Sequence, residues 1–254
     1  MRSSYEQSRR IAIETFIIGL AIVASATSVY AQTTVTNVSV ADSQIFGGFT
    51  TINRGAQAEM YVGDAGVGTP GSRALVQFSL ANIPAGQLIT SATLRLYMGG
   101  TTQYSTDGYR LLSSWLEGDG NGVSPANGTY GVTWDSRDKG GSLANWVSGG
   151  ASGSGTDRAA SSSFTLTASD VSGNHVFKDV TSDVQGWYNG SFSNFGWLLQ
   201  ATTFTSGQYT RYGTREQAGS DNDPQLIITY VPEPSSVVLL LSGFALLWYR
   251  RARE

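Results

Sequence analysis

From Arg73 to Leu80 the chain reads Arg-Ala-Leu-Val-Gln-Phe-Ser-Leu, with Ala74, Val76, Phe78 and Leu80 at alternate positions and Arg73, Gln77 and Ser79 between them. Side chains alternate across an extended chain, so this pattern predicts a strand with one buried face. After the Pro84-Ala85-Gly86 turn signal, Thr90–Met98 alternates again, with Ala92, Leu94, Leu96 and Met98 facing inward. Weaker patterns predict strands at Gly108–Trp115, Asn174–Val180, Gly196–Ala201, Gln208–Arg215 and Gln225–Tyr230. At Thr181–Asn189 the spacing of Val180, Val184 and Trp187 becomes helical, and Thr181-Ser182-Asp183 offers a cap. Trp187 on the inward side of that turn, and Trp115 at a strand end, are expected in the core.

Between Glu117 and Ser163 the chain is rich in Gly, Ser and Asn and has few regular signals. A loop of that length inside a compact domain is usually functional or tied down. Many short strands without detectable repeats predict an all-β fold, an antiparallel β-sandwich of jelly-roll type. Composition agrees: 31 of the 254 residues are Gly and only 14% are charged, which suits tight turns between strands. Cysteine is absent, so the fold does not rest on disulfides.

The two ends differ from this body. Arg2, Arg9 and Arg10 precede an apolar run from about Thr15 to Val23, and Val29 and Ala31 are the small residues of a cleavage site. This is the build of a secretory signal peptide over 1–31, cut after Ala31. At the other end, an apolar stretch with a predicted transmembrane helix at 236–249 is followed by Arg250, Arg251 and Arg253. Arginine clusters stay on the cytoplasmic side, so the body, 32–230, is expected outside the cytoplasm. It carries ten Lys and Arg against fifteen Asp and Glu and has no basic run, which argues against nucleic acid as a partner.

Pro232-Glu233-Pro234, the apolar helix and the Arg tip, in that order over 231–254, resemble the PEP-CTERM sorting signal of Gram-negative bacteria. A plain C-terminal anchor is the alternative. The resemblance implies an exosortase substrate, held transiently in the inner membrane with its body on the periplasmic side. After processing, the mature form would be extracellular or at the cell surface, associated with exopolysaccharide or biofilm.

The body has a resemblance of its own. Arg73–Leu80, Ile83–Tyr97, Trp115-Leu-Glu-Gly-Asp-Gly-Asn-Gly122, Val132-Thr-Trp-Asp135, Asp179–Trp187, Arg211-Tyr-Gly-Thr-Arg-Glu216 and Pro224–Tyr230 follow one another as in the DNRLRE domain. That domain is a disaggregatase-related β-sandwich grouped with carbohydrate-binding modules. The resemblance implies a polysaccharide ligand, with acidic polymers such as alginate the natural suspects.

Catalytic chemistry has little to build on. His175 is the only histidine, and no nucleophile elbow, zinc-protease helix or phosphate-binding loop is present, so no enzymatic activity is expected. For a sugar, the candidate contacts are Trp134 and Trp146 in the long loop and Tyr209 and Tyr212 beside Arg211. Flat rings give a sugar face an apolar platform. Arg95, Arg211 and Arg215 offer planar donors to carboxylates, although Arg215 and Glu216 also read as an internal ion pair. Glu117-Gly-Asp-Gly-Asn-Gly122 places oxygens at alternate positions as in a calcium loop, and Asp135 or Asp138 stands ready to complete a Ca2+ site with Glu117, Asp119 and Asn121. The competing reading is a solvated turn in which these side chains bond their own backbone.

Overall fold

A computed structural model describes residues 31–64, 71–101, 105–122, 130–219, 221–232 and 251. The predicted signal segment up to residue 30 and the predicted helix 236–249 lie outside them, and among the described residues no helix is long and apolar enough to cross a membrane. The site and the strands, apart from the first two residues of one and the last two of another, belong to one compact unit, Thr33–Ala85 with Ile89–Tyr230. The other unit, Met1–Gln32, Gly86–Leu88 and Val231–Glu254, falls mostly outside the described residues.

Among the described residues eleven strands run in the order β1 (Thr33–Phe46), β2 (Glu59–Gly63), β3 (Ser72–Phe78), β4 (Gln87–Thr101), β5 (Thr106–Arg110), β6 (Phe164–Leu166), β7 (Val171–Ser172), β8 (His175–Asp179), β9 (Trp197–Ala201), β10 (Tyr209–Gly213) and β11 (Gln225–Pro232). A short helix, α1 (Thr181–Tyr188), follows β8. All strand pairings with a defined register are antiparallel. Six strands close a hydrogen-bonded ring, β1–β11–β4–β10–β2–β3–β1. Strands β9, β5 and β6 continue from β3, and β8 and β7 continue from β4.

A two-sheet jelly roll keeps open edges, whereas here the ladder closes. The cause is the length of β1 and β4, 14 and 15 residues. β1 pairs β11 through Thr33–Val38, shifts register between Ser39 and Ala41, and pairs β3 through Ser39–Phe46. A strand that bulges can turn its second half toward a new partner.

The principal core lies on the alternating faces predicted from sequence. Ala74, Val76, Phe78, Ala92, Leu94 and Leu96 are buried, with Val180, Val184 and Trp187 against them. Trp197 is the anchor: its ring meets Phe78, Phe164 and Trp187, and its Nε1 donates to Asp183 Oδ2 at 2.7 Å. Arg110 pairs the same carboxylate from 3.2 Å, so this buried acid is satisfied twice. Full burial of one such large side chain stabilises the fold by roughly 1.5–3 kcal/mol. The helix is not capped by Thr181-Ser182-Asp183. Instead Asp179 accepts the Thr181 N–H at 2.8 Å, and Thr181 Oγ1 accepts from Ala92 N on β4.

A second core was not legible as a pattern. Leu75 and Leu198, on the faces of β3 and β9 away from the principal core, pack with Ile45, Leu111, Trp115, Val132, Trp134 and Trp146. The long Gly-rich segment therefore covers the sheet like a lid of irregular chain, so β3 and β9 are buried on both faces.

Candidate functional site

That second core overturns two of the proposed sugar contacts. Trp134 and Trp146 are 7% and 5% exposed, held among loop and sheet side chains. Trp146 Nε1 donates to Thr133 O at 3.1 Å, and the Arg73 guanidinium lies 4.9 Å from the Trp134 ring centre. The chain crosses Trp134 so closely that a Cβ at Gly150, where φ is +73°, would come within 2.6 Å of the indole. Glycine there serves packing, and the two indoles cannot serve as exposed platforms. Tyr212 is corrected for a simpler reason. It alternates with Arg211, points into the principal core at 1% exposure, and burial pushes its hydroxyl pKa up to about 12.

Tyr209 and Arg211 stay on the outer face, and the fold adds two residues that the sequence reading missed. In the β2–β10 ladder Arg211 stands opposite Tyr61, and Gly213 opposite Glu59. Glu59, Tyr61, Tyr209 and Arg211 are all partly exposed, while Met60, Val62, Thr210 and Tyr212 between them are buried. The Tyr61 and Tyr209 rings lie 5.5 Å apart at 49°. Arg211 Nη1 donates to Glu59 Oε2 at 3.1 Å and Nη2 to Gly99 O at 2.6 Å. The Tyr61 hydroxyl and the Glu59 carboxylate both favour the charged guanidinium and hold its pKa above the ordinary value. Gly99 and Gly100 of β4 leave room for this pair: a Cβ would stand 2.8 Å from Glu59 Oε1 at the first and 3.0 Å from Arg211 Nη2 at the second. The signal for β2 was present as Glu59-Met60-Tyr61-Val62, a strand-like alternation too short to stand out.

Beside this face opens a groove of about 470 Å³, lined by Gln57, Glu59, Tyr61, Asn121 and Gln217 with Ala56 and Ala58. It falls within the size range of small-ligand clefts. Gln57 joins its walls by donating to Asn121 O at 2.7 Å.

The calcium-loop reading meets a different arrangement. Asn53, fully buried, accepts from the N–H groups of Gly55 and Gly120 and donates to Glu117 O and Val132 O. Its carboxamide thus holds the Glu117–Gly122 turn through four backbone bonds. Asp119, Asn121 and Asp135 are exposed, and Asp138 accepts from Gly131 N at 3.2 Å. The four proposed ligands do not converge, because Glu117 turns the other way, accepting from Asp42 N at 2.7 Å and from Arg215 Nη2.

Glu117 instead belongs with Asp42 and Glu216, the group of carboxylates among the described residues whose oxygens approach one another within 4.8 Å. Arg215 sits between them, paired with Glu117 and, at 3.3 Å, with Glu216, as the internal-pair reading expected. Asp42 is 0% exposed and accepts from Ser39 Oγ at 2.6 Å. Burial raises its pKa to about 7, opposed by the Ser39 bond and reinforced by Glu216 and Glu117. Such a pKa suits a general acid, but a side chain with no surface cannot reach a substrate.

Of the processing residues, Ala31 is exposed ahead of β1, Pro232 is exposed at the end of β11, and Arg251 is exposed. Glu233, Pro234 and Arg250 lie outside the described residues. No family model and no curated protein matches the chain.

Proposed function

We propose that this chain is an exported, non-catalytic glycan-binding module that uses the outer face of β2 and β10. The observation that carries the reading is the Tyr61–Tyr209 pair, partly exposed on adjoining strands beside an open groove of mixed polar and apolar lining. Sugars present apolar C–H faces and rings of hydroxyls; tyrosine rings meet the first, and amide and charged side chains meet the second. Partly exposed aromatics paired on one face favour a sugar reader over a structural or adhesive surface protein, whose surface would be uniformly polar.

The terminal segments support the same assignment independently. The signal-like start and the PEP-CTERM-like end fit a precursor handled by signal peptidase and exosortase, with delivery to an exopolysaccharide layer. The resemblance of the body to the DNRLRE domain supports a jelly-roll ancestry for the strand arrangement, with the ring closed by the two long strands.

The test is retention of the full-length chain, purified in mild detergent, on a panel of immobilised polysaccharides. Saturable binding weakened about tenfold by Tyr61→Ala or Tyr209→Ala is expected, the loss of one aromatic contact. A folded chain retained by none of the polymers would overturn the reading.

A further inference from the structure

The DNRLRE resemblance points to acidic polymers, but the charge arrangement of the site points elsewhere. We infer that the groove beside β2 and β10 takes a neutral glycan, a polymer of uncharged sugars; the inference rests on the glycan-binding reading above and names its ligand class. Three amide side chains, Gln57, Asn121 and Gln217, share the groove with one ionisable acid, Glu59. Gln57 already donates to Asn121 O and accepts from Arg54 Nη1, so the groove presents mostly uncharged amide dipoles, which suit a hydroxyl that both donates and accepts. No Lys or Arg lines the groove, and its one acid, Glu59, is paired with Arg211, so a uronic acid or sulfate entering it meets no free cation.

The cation next to the groove is already committed. Arg211 is engaged by Glu59, by the Gly99 carbonyl and by Tyr61, in a seat that Gly99 and Gly100 keep open. To greet a carboxylate it would have to leave a carboxylate. The same holds for the other two arginines that the sequence offered to an acidic polymer. Arg95 pairs with Asp221 and donates to Gln225 at 2.8 Å, and Arg215 is shared by Glu117 and Glu216.

This internal use of cations extends through the body. Arg95, Arg110, Lys178, Arg211 and Arg215 each sit on a carboxylate. Arg73 lies on Trp134, Arg158 on Tyr109, Arg54 on Phe46, and Arg137 donates to Ala144 O and Ser114 O. Nine of the ten basic side chains of the body are thus used within the fold, against fifteen carboxylates. A polyanion approaching this surface finds a net negative field and few cations to release counterions.

The deciding experiment measures retention of the full-length chain on neutral polymers (β-glucan, mannan, galactomannan) and acidic ones (alginate, pectate, hyaluronate), each at low and at high salt. The expected result is tighter binding to a neutral polymer, changed less than about twofold by salt and weakened about tenfold by Tyr61→Ala. Tighter, salt-sensitive binding to an acidic polymer overturns this inference and leaves the glycan-binding reading standing. Binding to none, by a chain with a cooperative melting transition, overturns both.

Discussion

The protein has two aromatic regions, and they are used in opposite ways. Trp134 and Trp146 sit in an irregular, Gly-rich segment, the sort of chain that ordinarily lies open to solvent, yet both are buried. Tyr61 and Tyr209 sit on regular strands, yet both remain partly exposed. What separates them is the sheet beneath. β3 and β9 are apolar on both faces, with Leu75 and Leu198 turned away from the principal core, and this apolar surface needs a cover. β2 and β10 present Glu59, Tyr61, Tyr209 and Arg211 outward, a surface that water tolerates. The loop therefore folds over the first surface and leaves the second clear. Position in a loop or strand says less about exposure than the chemistry of the face opposite.

The strongest way to break this contrast is truncation of the aromatics. Trp146→Ala is expected to destabilise the fold by about 3–5 kcal/mol through the cavity it leaves. Tyr61→Ala, at a partly exposed site, is expected to cost less than about 1 kcal/mol. Denaturant titration of the two variants checks the ordering. Equal losses would mean that the loop tryptophan is not a core residue.

Next in size is the hub beneath the loop. Asn53→Ala removes one carboxamide and strands four backbone groups, those of Gly55, Gly120, Glu117 and Val132. Unsatisfied buried groups cost about 1–3 kcal/mol each before relaxation, so a total loss of about 2–4 kcal/mol is expected. If Ca2+ organised the Glu117–Gly122 turn, added calcium would restore the melting temperature of the variant. With the amide as organiser, calcium and chelator leave it unchanged.

Asn53 also marks where sequence reading stopped. β3, β4, β8, β9, β10, β11 and α1 were legible because their apolar positions recur at strand or helix spacing over five or more residues. β1 was hidden: its second half buries Asp42, Ser43 and Gln44 in succession, so polarity and burial part company there. β6 and β7, at three and two residues, are too short to show any period. The partners of Asn53 lie as far as 79 residues away, and no local pattern announces them. Within the candidate site, Tyr209 and Arg211 were found through their composition, whereas Glu59 and Tyr61 became visible only when β2 was laid against β10.

A third test is titration, which reads the acid cluster behind the loop turn. The Asp42 pKa is raised by burial to about 7 from an unfolded value near 3.8. Between those values the folded state keeps a proton that the unfolded state has released, so stability falls as pH rises from about 4 to 7 and levels off above. The Glu117 pKa is also raised by burial and acts in the same direction. Asp42→Asn is expected to flatten the slope in that window while keeping an acceptor for Ser39, and thermal melts across pH compare the two chains. An unchanged slope would mean that Asp42 is ionised in the folded state despite its burial.

Two glycines set the face directly against the loop, and one of them is expected to leave stability almost untouched. Gly150→Ala places a Cβ at φ +73°, 2.6 Å from the rigid Trp134 ring, so both backbone and ring must yield. That is expected to cost about 1–3 kcal/mol. Gly99→Ala places its Cβ 2.8 Å from Glu59 Oε1, the far end of a flexible side chain, with Tyr97 3.6 Å away. Glu59 can swing aside, and alanine in a strand recovers about 0.5–1 kcal/mol of backbone entropy relative to glycine, so stability should hardly change. Once displaced, however, Glu59 no longer neutralises Arg211, whose guanidinium becomes available to an outside anion. Gly99→Ala is therefore expected to melt as the parent does yet gain salt-sensitive retention on an acidic polysaccharide. If it gains none, the Glu59 pairing is not what keeps Arg211 from acidic sugars, and the remaining barrier is the net negative field of the body.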